Sequence, residues 1–184
     1  RQTPLRQGAE RKMVIGFIGS FRAEKSPLWA LDQVAKAQDQ GRFAPGIELL
    51  IGTADTDFLQ RWEGRALLID TTARADYLRA LEACDVAVLP YDEASYSYRV
   101  SGVLAEAVAL GCLVVAPDLP ALRDQVLLPL PVGVCYKDRL ELVDCVQRAI
   151  VMAGQPSSAL ASQAHREIRS LDAVVDAIAL MGAS

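Results

Sequence analysis

Short, unbroken apolar runs alternate with longer segments of helical periodicity along most of this 184-residue chain. That alternation constrains the fold more than any other feature. Met13 to Gly19, Ile47 to Ile51, Leu67 to Ile69, Asp85 to Leu89, Cys112 to Ala116 and Val132 to Cys135 read as strands. Most are apolar at successive positions, so both faces of each strand must be covered, which is the signature of a parallel sheet. Strands alternating with helices then indicate an α/β fold, a Rossmann-like doubly wound sheet with helices on both faces.

The intervening segments supply the helices. Ser26 and Pro27 form an N-cap and first-turn proline, a common helix start. The helix that follows runs to about Gln40, with Leu28, Leu31, Val34 and Ala35 on one face. A short helix is expected from Asp55 to Trp62, and another is capped by Thr72 and carries Tyr77, Leu78 and Leu81 on one side. A polar loop with three tyrosines leads to Arg99, and a helix from Ser101 to Leu110 ends at Gly111. Asp118 to Gln125 reads as a short helical turn with Asp118 as its N-cap, Arg139 to Met152 as a helix, and Ser158 to about Leu180 as the last helix. Residues 1–12 are polar and read as a linker, leaving 13–184 as one domain.

Composition narrows the function classes. Hydrophobic residues make up 52% of the chain, which excludes disorder. Lys and Arg total 19 against 23 Asp and Glu, a formal net charge of −4, so no general basic field for nucleic acid exists and no nucleic-acid partner is expected. Cys84, Cys112, Cys135 and Cys145 show no metal-ligand spacing and read as reduced, small hydrophobes. No His/Asp/Glu cluster suggests a metal, and no cofactor is expected. No apolar stretch approaches the roughly 20 residues needed to cross a bilayer, and no signal peptide is seen, so a cytoplasmic location is expected. The sequence opens at Arg1 without a Met, and a fragment with a further upstream domain is expected.

In doubly wound sheets, ligands bind beyond the carboxyl ends of the strands, where strand order reverses. The first loop to inspect is Gly19-Ser20-Phe21-Arg22-Ala23-Glu24-Lys25-Ser26. It joins a buried strand to a helix start and carries two cations three residues apart. Backbone donors, the helix's positive end and those cations suit a diphosphate, although surface cations in such loops are usually only solvated. Neither a GxxxxGK[ST] nor a GxGxxG fingerprint is present, which disfavours a plain P-loop NTPase or an NAD enzyme.

The second segment is Ser101-Gly-Val-Leu-Ala-Glu106-Ala-Val-Ala-Leu-Gly111-Cys-Leu-Val-Val-Ala-Pro117. Ser101 and Gly102 open a helix where a phosphate can approach the backbone closely. Glu106 stands among apolar neighbours. Either it is satisfied by hydrogen bonds, for example from ribose hydroxyls, or it lies on an exposed stripe; periodicity leaves both readings open.

The phrase SGVLAEAVALGCLVVAPD, preceded by DVAVLPYDEASYSYR and by GSFRAEKS, resembles the carboxy-terminal, donor-binding domain of GT-B retaining glycosyltransferases. It is most similar to the family-4 (group 1) enzymes that build polysaccharides and glycoconjugates. The resemblance covers about residues 13 to 155. It implies that Arg22 and Lys25 bind the diphosphate of a nucleoside-diphosphate sugar and stabilise it as leaving group. It places Gly19 and Ser20 in that loop, the amides near Ser101, Gly102 and Val103 on phosphate, and Glu106 on the ribose. The segment from Asp70 to Ala73, with Thr71 and Thr72, would lie beside the nucleobase. Metal-independent transfer is implied as well. The acceptor, a glycan or glycoconjugate, would be held by a missing amino-terminal domain, and any membrane contact is expected only through that half.

One departure stands out. The family often carries two glutamates with seven residues between them, the first touching the transferred sugar; in this chain that register holds Tyr98. Glu93, Tyr96 or Arg99 could take over sugar contact, with Tyr98 and Arg99 counted among the candidate donor-site residues. The departure leaves a second reading, a non-catalytic module that binds a nucleotide sugar or serves as an interaction surface. A third, an epimerase or kinase relative, lacks its fingerprint. His165 is expected to be a surface or packing residue and not a general base, and Trp29 and Trp62 are expected to pack.

Overall fold

The computed structural model of the chain describes residues 12–21 and 27–168. Most of the expected linker, Ser26 and the segment beyond Ile168 lie outside the described residues. The elements run β1 Met13–Ile18, α1 Pro27–Asp39, β2 Ile47–Thr53, α2 Thr56–Arg61, β3 Leu67–Asp70, α3 Arg74–Ala83, β4 Val86–Val88, α4 Glu93–Tyr96, α5 Gly102–Ala109, β5 Leu113–Pro117, α6 Pro120–Leu127, β6 Gly133–Tyr136, α7 Leu142–Ala153 and α8 Ser157–Ile168.

The six strands form one sheet in the order β3-β2-β1-β4-β5-β6, every neighbouring pair parallel. The chain begins in the centre, steps outward to β3, then returns to place β4 against the other side of β1. Ile15 lies opposite Leu49 on one flank and opposite Val86 on the other. The reversal of winding therefore falls between β1 and β4, and the loops leaving these two strands diverge there.

The apolar runs are explained by cover on both faces. Ile15 and Phe17 pack into a core with residues of α1, α2 and α7, whereas Val14 and Ile18 pack with those of α3, α5 and α6. Gly16 sits where β1 passes Cys84 so closely that an added Cβ would lie 2.1 Å from its Sγ. The thiol group occupies space that any side chain would claim, so glycine follows from packing.

Several local expectations are corrected. Leu28 is 49% exposed, while Ala30, Leu31, Val34 and Ala35 are buried. It lies about 120° around the helix from Val34, at the rim of the apolar stripe. The N-cap position of α3 is Ala73, without a side-chain bond; the backbone N–H and hydroxyl of Thr72 instead donate to Asp70 Oδ1. The tyrosine-rich loop contains α4, whose start is secured by Asp92 accepting from the Ser95 amide at 2.9 Å. Asp118 does not cap α6 either: Leu119 holds that position, Pro120 occupies the first turn, and Arg123 turns back to donate to the Asp118 carboxylate. The expected Arg139–Met152 helix divides into a 3-10 turn, Arg139–Glu141, whose start is closed by an Asp138–Glu141 capping box, and α7.

The cysteines are thiols, three of them buried and Cys135 half-buried. Trp62 is buried, and Trp29 packs beside the core beneath the Arg139 guanidinium. His165 is 2% exposed, with Nε2 3.1 Å from the Gln125 carbonyl oxygen. It packs α8 against α6.

Candidate functional site

The site begins at the carboxyl end of β1. Gly19 adopts φ 121°, a left-handed conformation that costs other residues strain. Its N–H donates to the Gly52 carbonyl at 2.8 Å, tying the exit of β1 to β2. Ser20 is exposed immediately afterwards. Arg22 and Lys25, the two expected diphosphate ligands, lie outside the described residues. Across the switch point, β4 leads through Leu89 and Pro90 to Tyr91, and a small apolar pocket between the two exits is lined by Phe21, Pro27, Pro90 and Tyr91.

The start of α5 faces this region and is anchored from several sides. Ser101 is 4% exposed, and its hydroxyl accepts from the Leu104 amide at 3.1 Å, an N-cap bond. The same hydroxyl lies 2.9 Å from Tyr91 Oη. The Gln125 side chain then spans the Ser101 peptide, accepting from its N–H at 2.7 Å and donating to its carbonyl at 3.2 Å. With Ser101 buried and bonded, Gly102 remains exposed, and nothing lies within 4 Å of where its Cβ would be. First-turn amides of a helix have no carbonyl partner within it. Those of Gly102 and Val103 therefore form an open donor pair on a rigid mount.

Glu106 lies one turn further along α5, and its surroundings were not legible from spacing. Its Oε1 accepts from Arg74 Nη2 at 2.6 Å and its Oε2 from the Tyr77 hydroxyl at 2.5 Å. Arg74 also lies over the Tyr77 ring, 4.9 Å from the centroid. The Arg74 hydrogen bond, opposed by partial burial and assisted by Tyr77, holds the Glu106 carboxyl below the usual carboxylate range. Burial, then the bond to Glu106, raises the Tyr77 phenol. The result is an ionised carboxylate, an acceptor only, whose side chain keeps 36% exposure.

The segment after β3 enters the same edge of the sheet. Thr71 N–H donates to the Thr53 carbonyl at 3.1 Å, extending the β2–β3 pairing by one bond. Asp70 Oδ1 accepts from the Thr72 amide at 2.8 Å and its hydroxyl at 2.6 Å, and the hydroxyl bond chiefly lowers its proton affinity. These bonds shape an Asx-type turn that leads into α3 and so sets where Arg74 and Tyr77 start.

Tyr98 and Arg99 behave differently. Tyr98 is 92% exposed, and both residues line an open hollow of about 610 Å³ with Glu93 and Ser95. Tyr96 stacks on Tyr91 at 3.9 Å between centroids, so its ring serves packing. Sequence reasoning missed Arg74, Tyr77 as a polar group, Tyr91 and Gln125. Tyr77 carried a partial signal, since its place in the helical stripe put it on the core side without indicating a partner for its hydroxyl. Among the described residues no group of His, Cys, Asp or Glu could hold a metal ion, and no helix is long and apolar enough to cross a membrane.

Comparison with known proteins bears on the fold. HepE from Anabaena in complex with UDP-glucose superposes with a TM-score of 0.63 and 16% identity, over 94% of this chain and 49% of HepE. Sucrose-phosphate synthase from Thermosynechococcus elongatus gives a TM-score of 0.63 and 19% identity, over 94% of this chain and 46% of the synthase. TarM from S. aureus, in a complex that includes UDP, gives a TM-score of 0.65 and 13% identity over 91% and 34% of the two chains. The chain thus spans half or less of each of these proteins. No curated protein matches the sequence. The family model of glycosyl transferases group 1 matches residues 12–150. With that match and the parallel six-stranded sheet, the chain belongs to the group 1 glycosyl transferases and has the fold of the carboxy-terminal domain of their GT-B architecture.

Proposed function

We propose that residues 13–184 form the donor-binding domain of a glycosyltransferase, taking a nucleoside-diphosphate sugar at the β1/β4 switch point. The observation that carries this reading is the arrangement on α5: the first-turn amides of the exposed Gly102 and the half-buried Val103, with the ionised Glu106 one turn away. Amides at a helix start suit phosphate, and a carboxylate that only accepts suits the two hydroxyls of a ribose. Gly19 and Ser20 border the phosphate side, and Thr71 and Thr72 the nucleobase side. The solved neighbours HepE and TarM, whose complexes contain UDP-glucose and UDP, support a uridine nucleotide as the first donor to try.

In this reading Arg22 and Lys25 hold the diphosphate and stabilise its charge as the glycosidic bond breaks. Transfer would proceed with retention of configuration and without a metal or other cofactor. The acceptor would be a glycan or glycoconjugate bound by an amino-terminal half joined through residues 1–12, in a cytoplasmic enzyme of polysaccharide synthesis. The domain alone would bind donor and turn over little. A second reading, a non-catalytic nucleotide-sugar-binding or interaction module, is favoured by one observation: Tyr98 occupies the register of the family's sugar-contacting glutamate and supplies no carboxylate there.

Calorimetric titration of the domain with UDP, GDP and ADP tests the donor site. Binding of one diphosphate that Glu106→Ala and Lys25→Ala each weaken supports it; no binding of any of the three sinks it. Transfer by a longer chain that includes the upstream half, measured with and without EDTA, then separates the enzyme from the module.

A further inference from the structure

Glu106 is the one site carboxylate with both oxygens engaged by a single neighbouring element, the start of α3. Arg74 takes Oε1 and Tyr77 takes Oε2, so each oxygen retains one lone-pair position. The Glu106 side chain remains partly open to solvent. A glutamate on an unsupported helix surface would sample several rotamers and lose that freedom on binding. This one is already fixed, because the half-buried Tyr77 ring packs against the core beneath it and Arg74 lies across the ring.

We propose that Arg74 and Tyr77 are positioning residues that pre-set the Glu106 carboxylate for two adjacent hydroxyls of a ribose, making this pair a determinant of ribonucleotide selectivity. The inference rests on the donor-site reading given above and extends it to residues on a different helix. Two hydroxyls of a cis-diol can donate one bond to each carboxylate oxygen while Arg74 and Tyr77 keep theirs. Pre-organisation of this kind raises affinity by removing ordering costs from the binding step. A competing role for Arg74, as a plug that the ligand must displace, would need it to cover both oxygens, and it reaches only Oε1. The α3 start is itself held by the Asp70–Thr72 turn, so the nucleobase-side loop and the ribose ligand are mechanically one unit.

The test compares ribose with dideoxyribose. UDP, GDP and ADP and their 2′,3′-dideoxy forms are titrated into the wild-type domain and into Tyr77→Phe, Arg74→Gln and Glu106→Gln. The readout is the ratio of dideoxy to ribo Kd for whichever base binds. The wild type is expected to favour the ribonucleotide, Glu106→Gln to abolish the preference, and Tyr77→Phe and Arg74→Gln each to lower it about tenfold, the scale of one hydrogen bond to a charged group. Affinity for the dideoxy form should stay unchanged in both, an outcome that general loosening of the fold would not produce. Equal loss for both ligands, or tighter ribonucleotide binding by Arg74→Gln, overturns the inference. A Glu106-dependent preference that both variants preserve overturns it while leaving the donor site intact; no binding by the wild type overturns both.

Discussion

The side-chain amide of Gln125 brackets the peptide unit of Ser101, accepting from its N–H at 2.7 Å and donating to its carbonyl at 3.2 Å. Both residues are nearly inaccessible, at 3% and 4% exposure. The bracket links α6 to the first turn of α5, and the Gln125 carbonyl oxygen in turn meets His165 on α8. Three helices on one face of the sheet thus share a polar seam that holds the open amides of the candidate site.

Replacing Gln125 by Leu leaves the buried Ser101 N–H without a partner, while the Ser101 carbonyl keeps the Ala105 N–H at 3.2 Å. One such orphan costs about 1–3 kcal/mol, and a loss of that size in urea unfolding is expected. A loss below about 1 kcal/mol would show that water or a shifted backbone replaces the bracket.

Tyr91 and Ser101 should be coupled through the hydroxyl pair at 2.9 Å. Tyr91→Phe is expected to cost about 0.5–1.5 kcal/mol, and Ser101→Ala about 0.5–2 kcal/mol through loss of the N-cap. Because they share one bond, the double variant should cost less than the sum. Strict additivity in a double-mutant cycle would refute the coupling.

Gly16→Ala should be destabilised by about 1–3 kcal/mol, since its Cβ would collide with Cys84 Sγ. Cys84→Ala removes that sulfur, so the combined variant should recover part of the lost melting temperature relative to Gly16→Ala alone. No recovery would mean that the strand cannot accept a methyl group there for another reason.

The Arg74–Glu106 pair carries a defined pH dependence. Glu106 binds its proton less tightly in the folded protein. Its stabilising contribution is therefore complete above the unfolded value of about 4.3 and is lost as pH falls through the lower folded value. The pair is largely solvent-exposed, so the stability difference between wild type and Glu106→Gln should be at most about 1 kcal/mol at neutral pH. Denaturant unfolding should show that difference shrink as pH falls below about 4.3 and vanish only below the lower folded value; a difference that grows on acidification would contradict the assignment.

Burial pushes the Cys135 thiol up to about 11, and Asp118 adds to the shift. Burial raises Cys145 as well. Alkylation by iodoacetamide at neutral pH should therefore be slow at all four cysteines in the folded domain and fast after unfolding. Rapid native labelling of Cys135 would show that its pocket opens readily.

The strands were legible because burial on both faces demands continuous apolar runs, and the β1, β2, β4 and β5 segments satisfy that demand in one dimension. Gly19 and the Ser101–Gly102 helix start were also legible, because strand exits and caps use short-range chemistry. The tyrosine-rich stretch was harder: α4 is a single turn, secured by one Asp92 bond, and periodicity has no purchase on four residues. Asp118 and Thr72 are residue types suited to N-caps at suitable places, yet each side chain found another partner, Arg123 and Asp70 respectively.

By itself, the sequence determined the class of sheet, the succession of helices and the loops at the carboxyl ends of the strands, since these follow from hydrophobic patterning and local backbone preference. It left open whether Glu106 lay on an exposed stripe or was satisfied by hydrogen bonds. Only the tertiary structure decided that, by bringing Arg74 and Tyr77 to it across 32 and 29 residues of sequence. The same is true of Gln125, which reaches Ser101 from 24 residues away. Such bonds depend on where two helices come to rest on a common sheet, a relation that helical periodicity does not encode.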